Sequence, residues 1–462
     1  MLDKLSTLPA LFNQLTISSQ VPGAQFTLYH NGQLIELATG VEHIHLGTPV
    51  TTRSRFALGS VSKVATATVV MQMLEDDDIS LDDPVAHYLP RAINSRTHTD
   101  SITLRQLLSH TSGLIVDHDE VDMSDSSLRK SAASMLSKDL VSRPGSVFSY
   151  SNSGYALIGY VIEAVSGQSW WDTIQSYLFD PHDLDFTFIN DPRSNPLAKS
   201  IVAGHAVDAS SSSTVPVDFY CERGMAPAGG LAASATTLVD LARSFMVSPE
   251  HRSNNPVADL EVLRHMWSPV PAVSPFGLAD SWGAGWGLHE RRGRLWAGHD
   301  GTLDGGTCHV RLDPDGGTAL ALTTNSTSGL TMWPQLVDVL DSLELYVGNY
   351  RTPDLSISRG STSTGLDISG HYTNGDLTVT IEPTPDGNYQ LKMPNGVQGA
   401  ILLSDSMQFN VRINQFGGDL DFVGRFSTGL SNGSTIDAIE YNGRYLRREM
   451  KVPPASPLLL TA

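Results

Sequence analysis

The sequence predicts an α+β fold, an antiparallel sheet beside a helical subdomain, with a small antiparallel barrel or sandwich after it. Three observations carry this. Strand-like runs occur early and late in residues 1–350, with helical periodicity gathered between them. A polar Ser/Thr/Gly-rich stretch at 351–366 then reads as a linker. From 367 to 462 short β-rich runs alternate with turn dipeptides such as Asp386-Gly387, Asn395-Gly396, Gly417-Gly418 and Asn442-Gly443.

Taken in order, residues 3–17 fit a short amphipathic helix, and residues 22–40 two strands around an Asn31-Gly32 turn. Residues 56–74 turn from Gly59-Ser60 into a long apolar helix, whose charged end Asp76-Asp77-Asp78 reads as a solvated loop. Helices are expected over 81–90 and 102–108, the second stopped by the glycine of His110-Thr-Ser-Gly113. The acidic segment 117–125 is expected to be a loop near the site. A helix over 155–165 ends at Gly167, and Trp170-Trp171 open an aromatic helix expected in the core. Strands follow at 285–288, 295–298, 307–312 and 318–324, and a helix over 331–345 would pack on their sheet.

A chain of 462 residues is too long for one ordinary domain. With 40% hydrophobic and 17% charged residues, it has ample apolar material for packed cores. A net charge of −19 argues against a nucleic-acid backbone or an anionic membrane as partner. Two cysteines, Cys221 and Cys308, build no disulfide framework and are expected as buried thiols. The first ten residues lack a signal-peptide pattern, and no run of 18 apolar residues occurs, so a soluble cytoplasmic protein is expected. No metal or other cofactor is expected. His43-Ile-His45 has no evident third ligand, and the Asn325-Ser-Thr sequon reads as silent.

The chemistry starts at Ser60 and Lys63. Three residues on a helix is about 300° of rotation and about 4.5 Å of rise, so the two side chains share a face. A desolvated lysine beside a hydroxyl at a helix start can act as its base, which makes Ser60 the candidate nucleophile. A second motif, Tyr150-Ser-Asn152, sits in a polar loop before a helix. Its phenol can serve as base or proton shuttle, and its amide can hold an acyl group. The third, His299-Asp-Gly301-Thr302, lies on a strand edge where Gly301 lets substrate approach the backbone. His299 can donate a hydrogen bond or proton there, and the Ser60 and Thr302 amides can form an oxyanion hole. Single motifs are cheap. Ser127-Leu-Arg-Lys130, Tyr29-His-Asn31 and Tyr372-Thr-Asn374 repeat two of the patterns, and residues 429–433 match a nucleophile elbow with no helix after it. Order and local context single out the first set.

Ser60-Val-Ser-Lys63, Tyr150-Ser-Asn152 and His299-Asp-Gly301 resemble the penicillin-binding-protein and class C β-lactamase superfamily of serine hydrolases. Leu107-Leu-Ser-His-Thr-Ser-Gly113, Pro144-Gly145 and Gly229-Gly-Leu-Ala-Ala-Ser234 add to a resemblance covering residues 10–345. It implies a β-lactamase/transpeptidase-like fold. The histidine in the third motif departs from the Lys-Thr/Ser-Gly form of true β-lactamases, so that activity is the least expected. The chain is most similar to the penicillin-binding-protein-type thioesterases of bacterial nonribosomal peptide assembly, the branch of the surugamide cyclase. These append a lipocalin-like barrel and share segments like Gly167-Gln-Ser-Trp-Trp171 and Pro275-Phe-Gly-Leu-Ala-Asp280. In that branch a barrel arginine reaches the active site and helps hold the peptide terminus, and the matching position here is Arg444.

The resemblance implies a peptidyl thioester substrate, a Ser60 acyl-enzyme and release as a macrocycle, with a D-residue favoured at the acyl position. Whether a carrier protein presents the thioester stays open. Two other readings remain: a D-stereospecific aminopeptidase, amidase or esterase that hydrolyses, and a non-catalytic penicillin-binding sensor.

Overall fold

The computed structural model describes residues 2–94, 98–117, 127–189, 200–207, 213–218, 220–248, 250–253, 255–271, 273–351, 366–404, 407–414, 419–428 and 435–449. The expected linker lies outside them but for its end residues, as do the acidic segment beyond Asp117, Gly417-Gly418 and the elbow-like 429–433.

Among the described residues, seven strands form one antiparallel sheet. They are β1 (Gly23–His30), β2 (Gln33–Gly40), β3 (Ser281–Trp282), β4 (Gly287–Arg291), β5 (Arg294–Leu303), β6 (Gly306–Asp313) and β7 (Thr318–Thr324), in the order β2-β1-β7-β6-β5-β4-β3. The β1–β2 hairpin turns at Asn31 and Gly32 with φ of 49° and 83°, the paired left-handed geometry that Asn-Gly adopts readily. Every residue of β7 is buried, because both faces of the sheet are covered.

Helices α1 (Leu8–Ser18), α2 (Ser62–Glu75), α3 (Asn152–Ser166), α4 (Ala235–Arg243) and α5 (Gly329–Ser342) frame the sheet. Phe12 and Leu15 of α1 and Met332 and Leu336 of α5 pack with Phe26, Leu28, Leu320 and Leu322 on one face. The other face sends Val310, Leu312, Ala319 and Ala321 into a core shared with α2, α3 and α4. Residues 62–71 of α2 are all buried, so this helix is core rather than surface. Its hydroxyls are satisfied at once: Thr68 Oγ1 donates to the Val64 carbonyl and Thr66 Oγ1 to the Pro227 carbonyl.

Several local expectations shift. Residues 81–90 form only a 3₁₀ turn, Val85–His87, between Pro84 and Pro90, which stop any longer helix. The helix expected over 102–108 runs Leu104–Leu108, ending where expected, but the first left-handed residue after it is His110 at φ 57°, ahead of Gly113. The strand expected at 285–288 begins only at Gly287, since Gly285 turns at φ 88° against Ala67 of α2. Helix α3 starts at Asn152 rather than Tyr155, capped by Ser151 Oγ on the Gly154 amide, and closes at a left-handed Gly167. Trp170 is buried edge-on against Trp171 and Phe188, as expected.

After residue 366 the chain closes an eight-stranded antiparallel barrel: β8 (Gly370–Asn374), β9 (Leu377–Pro383), β10 (Tyr389–Lys392), β11 (Gln398–Leu403), β12 (Gln408–Asn414), β13 (Asp419–Ser427), β14 (Ala438–Tyr441) and β15 (Arg444–Arg448). Pairing of Tyr372 with Arg448 joins first strand to last and leaves no free edge. Side chains fill the interior: the Phe409 ring lies over Gly424, where a Cβ would meet it at 2.1 Å. Both cysteines are free and buried. Among the described residues no helix is long and apolar enough to cross a membrane, and no cluster could hold a metal ion. Asn325 is buried, with Oδ1 accepting from the Gly23 amide at 2.7 Å, so the folded protein withholds that sequon.

Candidate active site

A 3₁₀ turn, Gly59–Val61, carries Ser60 into α2, and Lys63 lies just inside the helix. Lys63 Nζ stands 3.0 Å from Ser60 Oγ, 2.6 Å from Asn152 Oδ1 and 2.8 Å from the Ala228 carbonyl. The last two groups only accept hydrogen bonds. A neutral Lys63 therefore keeps its two hydrogens on them and turns its lone pair to Ser60. Burial lowers Lys63 to about 7, with Asp117 pulling it up and Arg444 further down, so the free base is present at neutral pH.

Tyr150 faces Ser60 across the cavity that both line, while Lys63 Nζ stands over its ring, 5.0 Å from the centroid. The ring stacks on His110 at 4.2 Å and meets Trp282 edge-on at 6.0 Å. Burial pushes the phenol above its ordinary range, so the geometry suits a neutral relay rather than a phenolate base. Beside the acyl-holding role expected of it, Asn152 has a second task. Its Oδ1 receives Lys63, and its Nδ2 donates to Asp117 Oδ1 at 2.7 Å, so the amide orients the lysine.

His299 is on β5, an interior strand of the sheet rather than an edge strand. The β4 pairing stops at Gly298, which leaves the 299–303 half of β5 open on the side facing the Ser60 turn. There Gly301 is obligatory, since a Cβ would meet the Leu58 carbonyl at 2.0 Å and the Ser60 amide at 3.1 Å. The Thr302 backbone lies against Gly59 in the same contact, which brings the two expected oxyanion-hole residues together. His299 Nδ1 is 2.8 Å from the Asp300 carbonyl, an acceptor, so it carries the proton. Burial, then Lys63, lowers the ring to about 3 and keeps it neutral. The expectation that His299 donates a hydrogen bond or proton therefore gives way: Nε2, buried without a partner among the described residues, presents a lone pair.

Asp300 is a residue the motif contained but to which sequence reasoning gave no role. Arg311, fully buried on β6, grips it with Nη1 at 2.7 Å and Nη2 at 3.0 Å, and His309 Nδ1 adds a third contact at 2.8 Å. Burial alone would raise Asp300, but Arg311 and His309 overcome it and hold the carboxyl well below the usual range. A charged Arg311 within the apolar run 307–312 was the available signal, because a buried guanidinium needs an anion. His110 and Asp117 likewise gained no role from sequence.

The sites converge on a cavity of about 320 Å³ lined by Ser60, Tyr150, Trp282, His299 and, from the barrel, Phe422 and Arg444. Arg444 Cζ lies 5.1 Å from the Tyr150 ring centroid, and Nη1 donates to the Asn442 carbonyl at 2.7 Å. Of the expected site residues, Ser60, Tyr150, His299, Gly301, Thr302 and the distant Arg444 line this cleft, while Lys63 lies buried behind Ser60 and Asn152 lines a neighbouring pocket that shares Ser60.

A serine beside a buried lysine of lowered pKa, with a tyrosine facing both against this sheet, is the arrangement of a serine acyl-transfer enzyme. The β-lactamase family model matches residues 8–339, and the chain belongs to that family of serine hydrolases. It is 32% identical to penicillin-binding protein 4 of Amycolatopsis lactamdurans over 68% of this chain and 83% of the relative. A crystal structure of SurE covers 97% of this chain and 99% of its own at 35% identity and a TM-score of 0.82. The structure of SurE with D-Leu matches at 34% identity and 0.81, over 97% and 100%.

Proposed function

We propose that the protein is a trans-acting peptidyl thioesterase that releases nonribosomal peptides as head-to-tail macrocycles. The observation that carries this reading is Arg444, set by the barrel 5.1 Å from the Tyr150 ring, in the cavity that Ser60 lines. A hydrolase of small esters needs no such cationic wall, whereas a peptidyl chain offers carbonyls and an end for a guanidinium to hold. Similarity to SurE over both the sheet and the barrel supports it, and the SurE complex with D-Leu supports a D-residue at the acyl position.

In this reading Lys63 takes the Ser60 proton as Oγ attacks the thioester carbonyl. The oxyanion rests on the Ser60 and Thr302 amides, and collapse expels the thiol, protonated through Tyr150. The peptide's own amine then attacks the ester, its proton passes to Tyr150 and Lys63, and Ser60 Oγ leaves with a proton. Nε2 of His299 accepts a hydrogen bond from a substrate N–H.

A linear peptidyl thioester with a C-terminal D-residue, followed by mass spectrometry, tests this. Cyclic product that disappears with Ser60→Ala is expected. Linear acid alone would move the function to a D-specific hydrolase. A stable adduct without turnover would favour a sensor.

A further inference from the structure

The Tyr372-Thr-Asn374 copy of the second motif, set aside in sequence, ends on a side chain that the fold places between the barrel and the loops at Val116 and Ser149. Asn374 closes β8, is 1% exposed, and has its whole amide engaged. Its Oδ1 accepts from the Val116 amide at 2.8 Å, and its Nδ2 donates to Ser149 Oγ at 3.1 Å and to the Tyr445 carbonyl at 2.7 Å. Each partner is one step from the chemistry. The Val116 carbonyl accepts the amides of Asn152 and Ser153 at 2.9 and 3.1 Å, while Ser149 precedes Tyr150. Ser149 Oγ also receives the Tyr445 amide at 3.2 Å, next to Arg444.

Two neighbouring contacts point the same way. A Cβ on Gly375 (φ 61°) would meet the Asp117 carbonyl at 2.4 Å, so this barrel turn sits directly on the 115–117 segment. On the other side, the Tyr150 amide donates to the Gly443 carbonyl at 2.8 Å. Two barrel turns therefore hold the Tyr150 loop from both ends.

We infer that Asn374 is a positioning residue for acylation: the barrel's amide sets Tyr150 and Asn152 against Ser60 and Lys63, so the barrel is part of the catalytic framework as well as a wall of the cleft. The inference needs acyl transfer at Ser60 but not cyclisation.

The test uses the full chain and two acyl donors, p-nitrophenyl acetate and a peptidyl thioester, with acyl-enzyme formation read by quenched mass spectrometry. Asn374→Ala should slow acylation from both donors by about tenfold or more, because small misplacement of reacting groups is costly. The acid limb of the rate should also move above its starting point near pH 7. The groups facing Lys63 are Asp117, Arg444, Cys221, Tyr150, Tyr155, His110 and His299, and none is removed; water admitted beside a displaced Asn152 relieves the lysine's desolvation. Asn374→Asp keeps the acceptor for Val116 and should recover part of the rate. Unchanged acylation from p-nitrophenyl acetate, or a limb that stays near 7 while only the melting midpoint falls, overturns the inference. If Asn374→Ala does not fold, Ser149→Ala approaches the same node from the catalytic side and is judged by the same two readouts. Acylation from both donors unchanged in Asn374→Ala counts against Asn374 whatever product forms, whereas absence of cyclic product from the wild type counts against the proposed cyclase. Loss of cyclisation in the wild type alone leaves the ester comparison as the deciding one.

Discussion

Lys63 Nζ lies 3.0 Å from Ser60 Oγ, with its two remaining hydrogen bonds fixed by Asn152 and the Ala228 carbonyl. This pairing makes protonation of one buried amine the switch for the nucleophile. Burial does most of the work, and the Asp117 carboxylate behind Asn152 limits how far the lysine falls. A first prediction follows for pH. Acylation should rise through a single limb with a midpoint near 7 as Lys63 loses its proton. His299, lowered to about 3, should add no step between pH 5 and 9. Burst rates across that range, with Lys63→Met as reference, check this, and the variant should lose about 10²–10⁴-fold.

Gly301→Ala would place a methyl 2.0 Å from the Leu58 carbonyl. Backbone cannot yield there as a flexible side chain could, so β5 must move off the Ser60 turn. Acylation should fall about 10²-fold while the circular dichroism spectrum stays that of a folded protein.

Arg311→Met removes the guanidinium from Asp300 and leaves an anion at the base of His299. The anion left behind is 47% exposed and keeps His309, so the loss should be that of hydrogen bonds to a charged group, about 1–3 kcal/mol, and not that of an unpaired buried charge. Urea unfolding measures it. A loss below about 1 kcal/mol would show that water already carries the carboxylate.

Arg444→Ala should raise KM for a peptidyl thioester by about 10–100-fold, the range of one hydrogen bond to a charged group. The loss should be larger for the peptide than for a small ester, since only the peptide reaches the barrel. Steady-state rates with both donors decide.

The helix after Ser60 was readable because its apolar run is nearly continuous, and burial on every side is what such a run demands. The Asn31-Gly32 hairpin and the barrel turns were readable for a similar reason: left-handed φ favours those residues at those places. The segment 81–90, bounded by prolines, was misplaced, and the left-handed His110 after the helix ending at Leu108 went unread, because local pattern does not register where the surrounding packing stops a helix. Asp300 was in view as a letter of a motif, yet its partner Arg311 is eleven residues away and across a strand pair.

Chemistry-bearing residue types, their order along the chain and the plan of an α+β domain followed by an all-β one are matters of composition and short-range pattern, and the sequence carries them unaided; closure of the second into a barrel waits on the pairing of its first strand with its last. Their mutual geometry is not. The Asn152 amide turned to Lys63, the His299 proton turned to Asp300, and Asn374 and Arg444 brought from the barrel to Tyr150 all depend on contacts between distant segments. Each is a hydrogen bond or close approach chosen only when two surfaces meet and shed water. No spacing rule along one chain encodes which donor will then face which acceptor.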